Sequence, residues 1–338
     1  MRQLVRVAVA AVAVAVAGVL ALPAPAAAET ATQCHAALNG YRTAAGLDKA
    51  SATSIPALAK AAANHAAYRV QVDTASPDYL AALGLPDLGL FGPDLTAHLE
   101  SPKLVDLGFT GVNPWDRTRA AKLADGTWRY QYEDVTTATG ISAANLKGVR
   151  SWIDAPYHRL PMLDANTRHI GCAVDQRASY SAEVLEMAAT WKDTTKRITL
   201  YPAPGQKAVP TSFNRCQEHP TPFGGACDPA HPTQPVGYVV TLQADGWYAM
   251  KVQGIAFSKG SAHTPVEIHR AVRYRTTKST VPASAVDPSL PANAAMLAAK
   301  TPLASGTNYN VRVSGYVQAV KGGKWVQFKT RVWSFTTA

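Results

Sequence analysis

Imidazoles and carboxylates recur through the first half of the chain in an ordered series. His65 lies in an Ala-rich stretch and His98 stands just before Leu99-Glu100. Glu133 and Asp134 fall together in Tyr132-Glu133-Asp134-Val135, and Asp154 precedes Ala155-Pro156-Tyr157-His158-Arg159. Neutral imidazoles beside carboxylates support two chemistries. They can hold Zn²⁺ with positions left open for water, or form a hydrogen-bonded cluster supplying a general base tuned by its neighbours. The plainer alternative is a satisfied polar group tying helices together, and this is the reading preferred for His65. The isolated His35, His169, His263 and His269 are read as structural or surface residues. The chain lacks G-x-S-x-G, a P-loop, H-E-x-x-H and G-x-G-x-x-G. Nucleotide-dependent chemistry and the commonest hydrolase and zincin layouts lose support accordingly.

Cys34, Cys172, Cys216 and Cys227 offer further chemistry. Cys216-x-x-His219 and Cys227-x-x-x-His231 superficially fit a Cys₂His₂ zinc spacing. The gap between the halves is short, and an exported chain favours oxidised cysteines. Three pairings are possible. Cys216–Cys227 closes a short Pro- and Gly-rich loop, which leaves Cys34–Cys172 as the expected second disulfide.

Helical periodicity is expected to position these groups over about 33–45, ended by Gly46, and from Ser54 as N-cap through Pro56 to about 72. Further helices are expected over 114–123 and from about 142 through Ile153. Strands are expected at 130–135, 170–174 and 184–191. From Pro202 to Pro235 eight prolines break the pattern, as a linker or an irregular extended segment would. Beyond it, period-two runs at 236–242, 266–274, 309–313 and 326–332 predict an all-β sandwich. The expected organisation is a first domain over 29–200, a linker over 201–235 and a β domain over 236–338, with the two cores folding separately.

Arg2 and Arg6 precede an unbroken apolar run from Val7 to Leu22, followed by Pro23, Pro25 and Ala26-Ala27-Ala28. This predicts a secretory signal peptide over 1–28 and an exported product, secreted or associated with the cell envelope, without a membrane span. The 338 residues carry 33 Lys+Arg against 23 Asp+Glu, a formal charge of +10, which falls to +8 without Arg2 and Arg6. The basic residues form no run of five, which argues against a nucleic-acid partner.

In order along the chain come Asn39-x-x-Arg42 with Gly46, then His65, His98, Pro114-x-Asp116-Arg117, Tyr132-Glu133-Asp134-Val135, Pro156-x-His158-Arg159 and Ile170-Gly171-Cys172. This set resembles the CAP superfamily (the cysteine-rich secretory, antigen 5 and pathogenesis-related 1 proteins) in its bacterial form, over about 33–192. The resemblance implies an α/β/α sandwich with two histidines and acidic residues facing a central cavity. Mapped by position, His98 and His158 match the family's two histidines, and Glu133 matches the Glu of its G-E-N-I motif. Tyr132-Glu133-Asp134-Val135 lacks the Gly and Asn of that motif, and Glu100 or Asp154 stands in for a further acidic residue. The segment Leu303-x-x-Gly306-Thr307-x-Tyr309-x-Val311-x-Val313 looks like the tyrosine corner of immunoglobulin-like and fibronectin III modules.

The expected fold class is therefore α+β, a CAP-like α/β/α sandwich followed by an Ig-like β-sandwich. The expected function is binding of a small apolar or cell-envelope ligand at His98, Glu133 and His158, with Zn²⁺ as a possible companion. The alternatives are a His/Glu- or metal-assisted hydrolase of peptide or cell-wall material, and a surface adhesin.

Overall fold

The computed structural model describes residues 30–85, 97–124, 126, 128–139, 147–177, 179–218, 220–224 and 234–338. The expected signal peptide, Cys227 and His231 lie outside the described residues, as do His219 and the expected start of a helix near Ser142. Helices and antiparallel strands both occur, so the fold is mixed α+β.

The first half is built on three antiparallel strands, β1 (Trp128–Thr139), β2 (His169–Arg177) and β3 (Tyr180–Thr190), in the order β1-β3-β2. Helix α1 (Ala31–Ala44) begins with a Thr30/Gln33 capping box and is stopped by Gly46 at φ +70°, a conformation that suits glycine. Helix α2 (Pro56–Thr74) takes Pro at its first turn as expected, but Ser54 does not cap it. The Ser54 hydroxyl instead meets His169 Nδ1 at 2.7 Å. Helices α3 (Pro77–Ala82), α4 (Pro114–Ala120), α5 (Gly148–Asp154) and α6 (Pro156–Met162) are short.

Alternation along β2 sets the layering. A Cβ on Gly171 would lie 2.2 Å from the Ala59 backbone nitrogen, so α2 rests directly on that face. The next residue, Cys172, points the other way and is disulfide-bonded to Cys34 of α1, with 6.4 Å between the Cα atoms. The sheet therefore has α2 on one face and α1 with α5 on the other. Cys216 is also disulfide-bonded.

Two of the residues that carried the sequence resemblance are backbone fasteners. Asn39 exchanges two hydrogen bonds with Ala50, at 2.8 and 3.1 Å. The fully buried Arg42 donates to the carbonyls of Met162 and Asp164 at 2.7 and 2.9 Å, joining α1 to the end of α6.

The second half comprises β4 (Arg197–Tyr201), β5 (Ser212–Asn214), β6 (Pro235–Gly237), β7 (Val240–Asp245), β8 (Ala249–Lys259), β9 (Thr264–Pro265), β10 (Ile268–Val272), β11 (Tyr274–Arg275), β12 (Ala294–Ala299), β13 (Asn308–Gln318) and β14 (Trp325–Thr336). One sheet has the order β10-β12-β7-β4 and the other β11-β8-β13-β14, with β9 on β8. Inward residues such as Val240 and Leu242 of β7, Val252 of β8 and Val313 of β13 share one apolar core. The Tyr309 hydroxyl accepts from the Ala304 backbone N–H at 2.9 Å, the back-bond expected at that position.

Two features differ from the sequence-based organisation. The boundary expected at residue 200 falls inside β4, which pairs along its length with β7 and so belongs to the second half. The 201–235 segment is not a free linker. Its β5 pairs with β6, and Val209 donates to Thr336 at 3.1 Å. Prolines are tolerated because they stand at strand ends and between elements. Moreover, the apolar core runs without a break from Leu38, Trp152 and Leu185 into Tyr201, Val240 and Phe335. Arg159, fully buried, bolts this junction: its guanidinium lies 4.6 Å from the Tyr201 ring and 5.1 Å from the Tyr238 ring, and donates to the Val239 carbonyl at 2.7 Å.

Candidate functional site

Strand β1 is the outer strand of the first sheet, and a cleft of about 500 Å³ opens along it against the second half. Because β1 is an edge, residues from both of its faces reach the opening. Glu133 comes from the α2 face; Tyr132 and Asp134 come from the other. His98 and His158 line the same cleft, and the second half contributes Gln243, Trp247, Tyr248 and Asn293.

Each cleft histidine is held by a buried carboxylate at the same ring atom. His98 Nδ1 lies 3.1 Å from Glu133 Oε1, and His158 Nδ1 lies 2.8 Å from Glu218 Oε1. The same Glu218 oxygen accepts the backbone N–H groups of Tyr157 and His158 at 2.7 and 3.0 Å. It thereby satisfies two of the free donors at the start of α6. Among the described residues, Nε2 of both histidines makes no hydrogen bond, so both rings offer one nitrogen to the cleft.

Behind His98 lies a buried ionic network. Arg117, fully buried, donates to Glu133 Oε2 and, at 3.1 Å, to the His98 carbonyl, while its Nε stands 3.8 Å from Glu100. Burial alone would raise the Glu133 carboxyl. The charges of His65 and Arg117, with hydrogen bonds from His98 and Glu186, outweigh it and hold Glu133 down at about 2. Glu186, opposite Glu133 in the register, is pushed well above the usual range by burial and by Glu133's charge. It stays protonated beside the ionised Glu133 and accepts from Gln131 at 2.8 Å.

Asp134 is the cleft's unbalanced group. It is fully desolvated, its Oδ2 has no hydrogen-bond partner among the described residues, and burial pushes its carboxyl up to about 7. The charges of His158 and His98 oppose that rise, and those of Glu218 and Glu133 add to it. For His158 burial pulls downward, but the Glu218 hydrogen bond and the charges of Asp134 and Glu218 win and the net shift is upward.

His98, Glu133 and His158 thus border one cleft. Glu100 and Asp154 do not border it. Glu100 is consumed in structure: it meets His65 Nδ1 at 2.9 Å and accepts from the Thr110 and Gly111 backbone at 2.6 and 3.2 Å. Asp154 points toward the second half and accepts from the Tyr238 hydroxyl at 2.8 Å. His65 is fully buried with both ring nitrogens engaged, Nε2 donating to the Ala97 carbonyl at 2.9 Å, as a residue that ties elements together. Sequence reasoning missed Asp134 as a cleft group, although it adjoins Glu133. It also missed Glu218, whose only signal was its place beside Cys216 in the proline-rich segment.

The residues do not fit Zn²⁺ in this arrangement. Among the described residues, the only three metal-binding side chains whose donor atoms lie within 4.8 Å of one another are Cys34, Cys172 and Glu183, and those cysteines are oxidised. Both oxygens of Glu133 are already engaged, by His98 and by Arg117, whose fixed charge occupies the role a cation would play.

Compared with known proteins, the chain matches no family model and no curated protein.

Proposed function

We propose that the protein binds a polar, cell-envelope-derived small ligand, a saccharide bearing a short peptide, in the cleft along β1. One observation carries this reading: two carboxylate-held imidazoles present Nε2 atoms that make no hydrogen bond among the described residues, across a cleft that also displays aromatic faces. Tyr132 and Tyr248 are both about two-fifths exposed there, at 42% and 41%. Sugar rings pack on such faces through their C–H groups, while hydroxyl and amide groups take the imidazole, Gln243 and Asn293 contacts. A sterol or acyl chain would instead desolvate the partly exposed His98 and His158 rings without replacing their water hydrogen bonds. The motif series that resembles the CAP superfamily supports the same location, since His98, Glu133 and His158 are the positions it maps; we propose membership of that superfamily on those motifs.

Asp134 favours a second reading, hydrolysis. A carboxyl with a pKa near neutrality beside an imidazole can donate and accept protons at working pH. Calorimetry with an N-acetylated disaccharide–tetrapeptide and with palmitate separates the binding chemistries, and mass spectrometry of the recovered disaccharide–tetrapeptide reports cleavage. The disaccharide–tetrapeptide is expected to bind intact, with affinity at least about tenfold lower in His98→Ala and in His158→Ala for loss of a hydrogen bond to a charged or polar group. Tighter binding of palmitate, or equal binding by all three proteins, defeats the proposal. Cleavage abolished by Asp134→Asn selects the hydrolase.

A further inference from the structure

The outer face of the second sheet carries a groove separate from the cleft. It encloses about 330 Å³ and is bordered by Lys251, Arg275, Thr276, Lys278, Tyr316 and Trp325. The register brings these residues together. Lys251 of β8 stands opposite Tyr316 of β13 and beside Tyr274 of β11. Tyr316 and Gln318 pair with Gln327 and Trp325 of β14, so Tyr316 and Trp325 project from one face of the sheet.

The groove is chemically one-sided. No acidic residue borders it, and among the described residues none of Lys251, Arg275 and Lys278 enters an ion pair. Lys251 Nζ is held 4.1 Å over the Trp325 ring, and Tyr274 meets the same indole edge-on at 6.4 Å. The ammonium is therefore positioned, not free-swinging. Arg275 spends one nitrogen on the Val281 carbonyl at 3.4 Å, leaving the rest of its fork available. The Thr276 hydroxyl is buried and, among the described residues, has no hydrogen-bond partner. Three cations converging without a counter-charge repel one another, and an anion placed between them removes that cost.

We propose that this groove is a second binding site, for an anionic saccharide. Its phosphate or carboxylate lies among Lys251, Arg275 and Lys278. Its ring packs against Tyr316 and the open edge of Trp325. The net charge, +8 without Arg2 and Arg6, draws polyanions toward the molecule, and this groove gives them a defined seat. Such a site would hold the protein on an anionic envelope glycan while leaving the β1 cleft open.

The test is calorimetry on the full disulfide-bonded protein with three probes: a hexameric uronate oligosaccharide, a phosphomonoester-bearing mannose oligosaccharide and neutral maltohexaose. Wild type is compared with Lys251→Gln/Lys278→Gln and with a control pair of exposed lysines elsewhere, Lys60→Gln/Lys192→Gln. At least one acidic probe is expected to bind, and the stronger of the two identifies the anionic group. Removing two charge-assisted contacts at the groove is expected to weaken it at least about tenfold. The control pair should change it by no more than about twofold, since distant exposed charges are screened. Maltohexaose should give no heat. Failure of both acidic probes to bind, equal binding of maltohexaose, or equal weakening by the two lysine pairs overturns the site.

Discussion

Asp134→Asn is the most informative single change in the cleft. In the unfolded chain the Asp134 carboxyl titrates near 3.8, and in the fold near 7. Between these values the folded protein keeps a proton that the unfolded chain has released, so stability falls as pH rises through that window. The gap of roughly three pH units, at about 1.4 kcal/mol each, sets a full cost of about 4 kcal/mol above pH 7. At pH 5 less than half of that cost is expressed by the same linkage, and at pH 8 it is fully expressed. Asn cannot ionise and has nearly the shape of the neutral acid, and its unpaired amide matches the already unpaired Oδ2. The variant should therefore be more stable than wild type, by a margin growing roughly 2–3 kcal/mol between pH 5 and pH 8. Urea unfolding of both disulfide-bonded proteins at the two pH values measures it. A margin that stays constant, or shrinks as pH rises, would show that Asp134 is not a buried acid held neutral by the fold.

Three other perturbations probe the framework. Arg117→Met strands the buried Glu133 charge and should cost about 3–5 kcal/mol in urea unfolding at pH 8, with a smaller loss in acid where Glu133 can protonate. Gly171→Ala drives a methyl into the α2 backbone 2.2 Å away and should cost at least about 1–3 kcal/mol by the same measurement. Zinc titrated calorimetrically into wild type and His98→Ala should give indistinguishable weak heats, and a tight site lost with His98 would restore the metal reading.

Much of the framework was legible because local chemistry dictated it. Gly46 stops α1, Pro56 opens α2, and alternation within Tyr132-Glu133-Asp134-Val135 sends Glu133 and Asp134 to opposite faces of β1. The Cys34–Cys172 disulfide followed from elimination among four cysteines. What escaped depends on position in space. Period-two reasoning assigns faces but not sheet order, so nothing in the sequence marks β1 as an edge, the circumstance that lets Asp134 join Glu133 at one cleft. The apolar run of 236–242 reads as one strand, yet it divides into β6 and β7 on different sheets. Proline counting marked 201–235 as a spacer, but a spacer that supplies Glu218 to His158 is recognisable only once α6 is placed beside it. Arg159 looked like part of a motif around His158, whereas it joins the Ile153 and Asp154 carbonyls of α5 to Tyr201, Tyr238 and the Val239 carbonyl of the far half.

The unbroken core beneath the junction has a kinetic consequence. With Arg159 clamped between two tyrosine rings and apolar packing continuous from Leu38 to Phe335, the walls of the β1 cleft cannot swing apart as hinged lobes do. A ligand of the proposed kind would meet a mouth already at its final width, so its capture would be limited by diffusion and orientation and proceed at similar speeds for all molecules that fit. Selectivity would then reside in dwell time: occupants engaging both imidazoles and the aromatic rims would leave slowly, and those engaging one side would leave quickly.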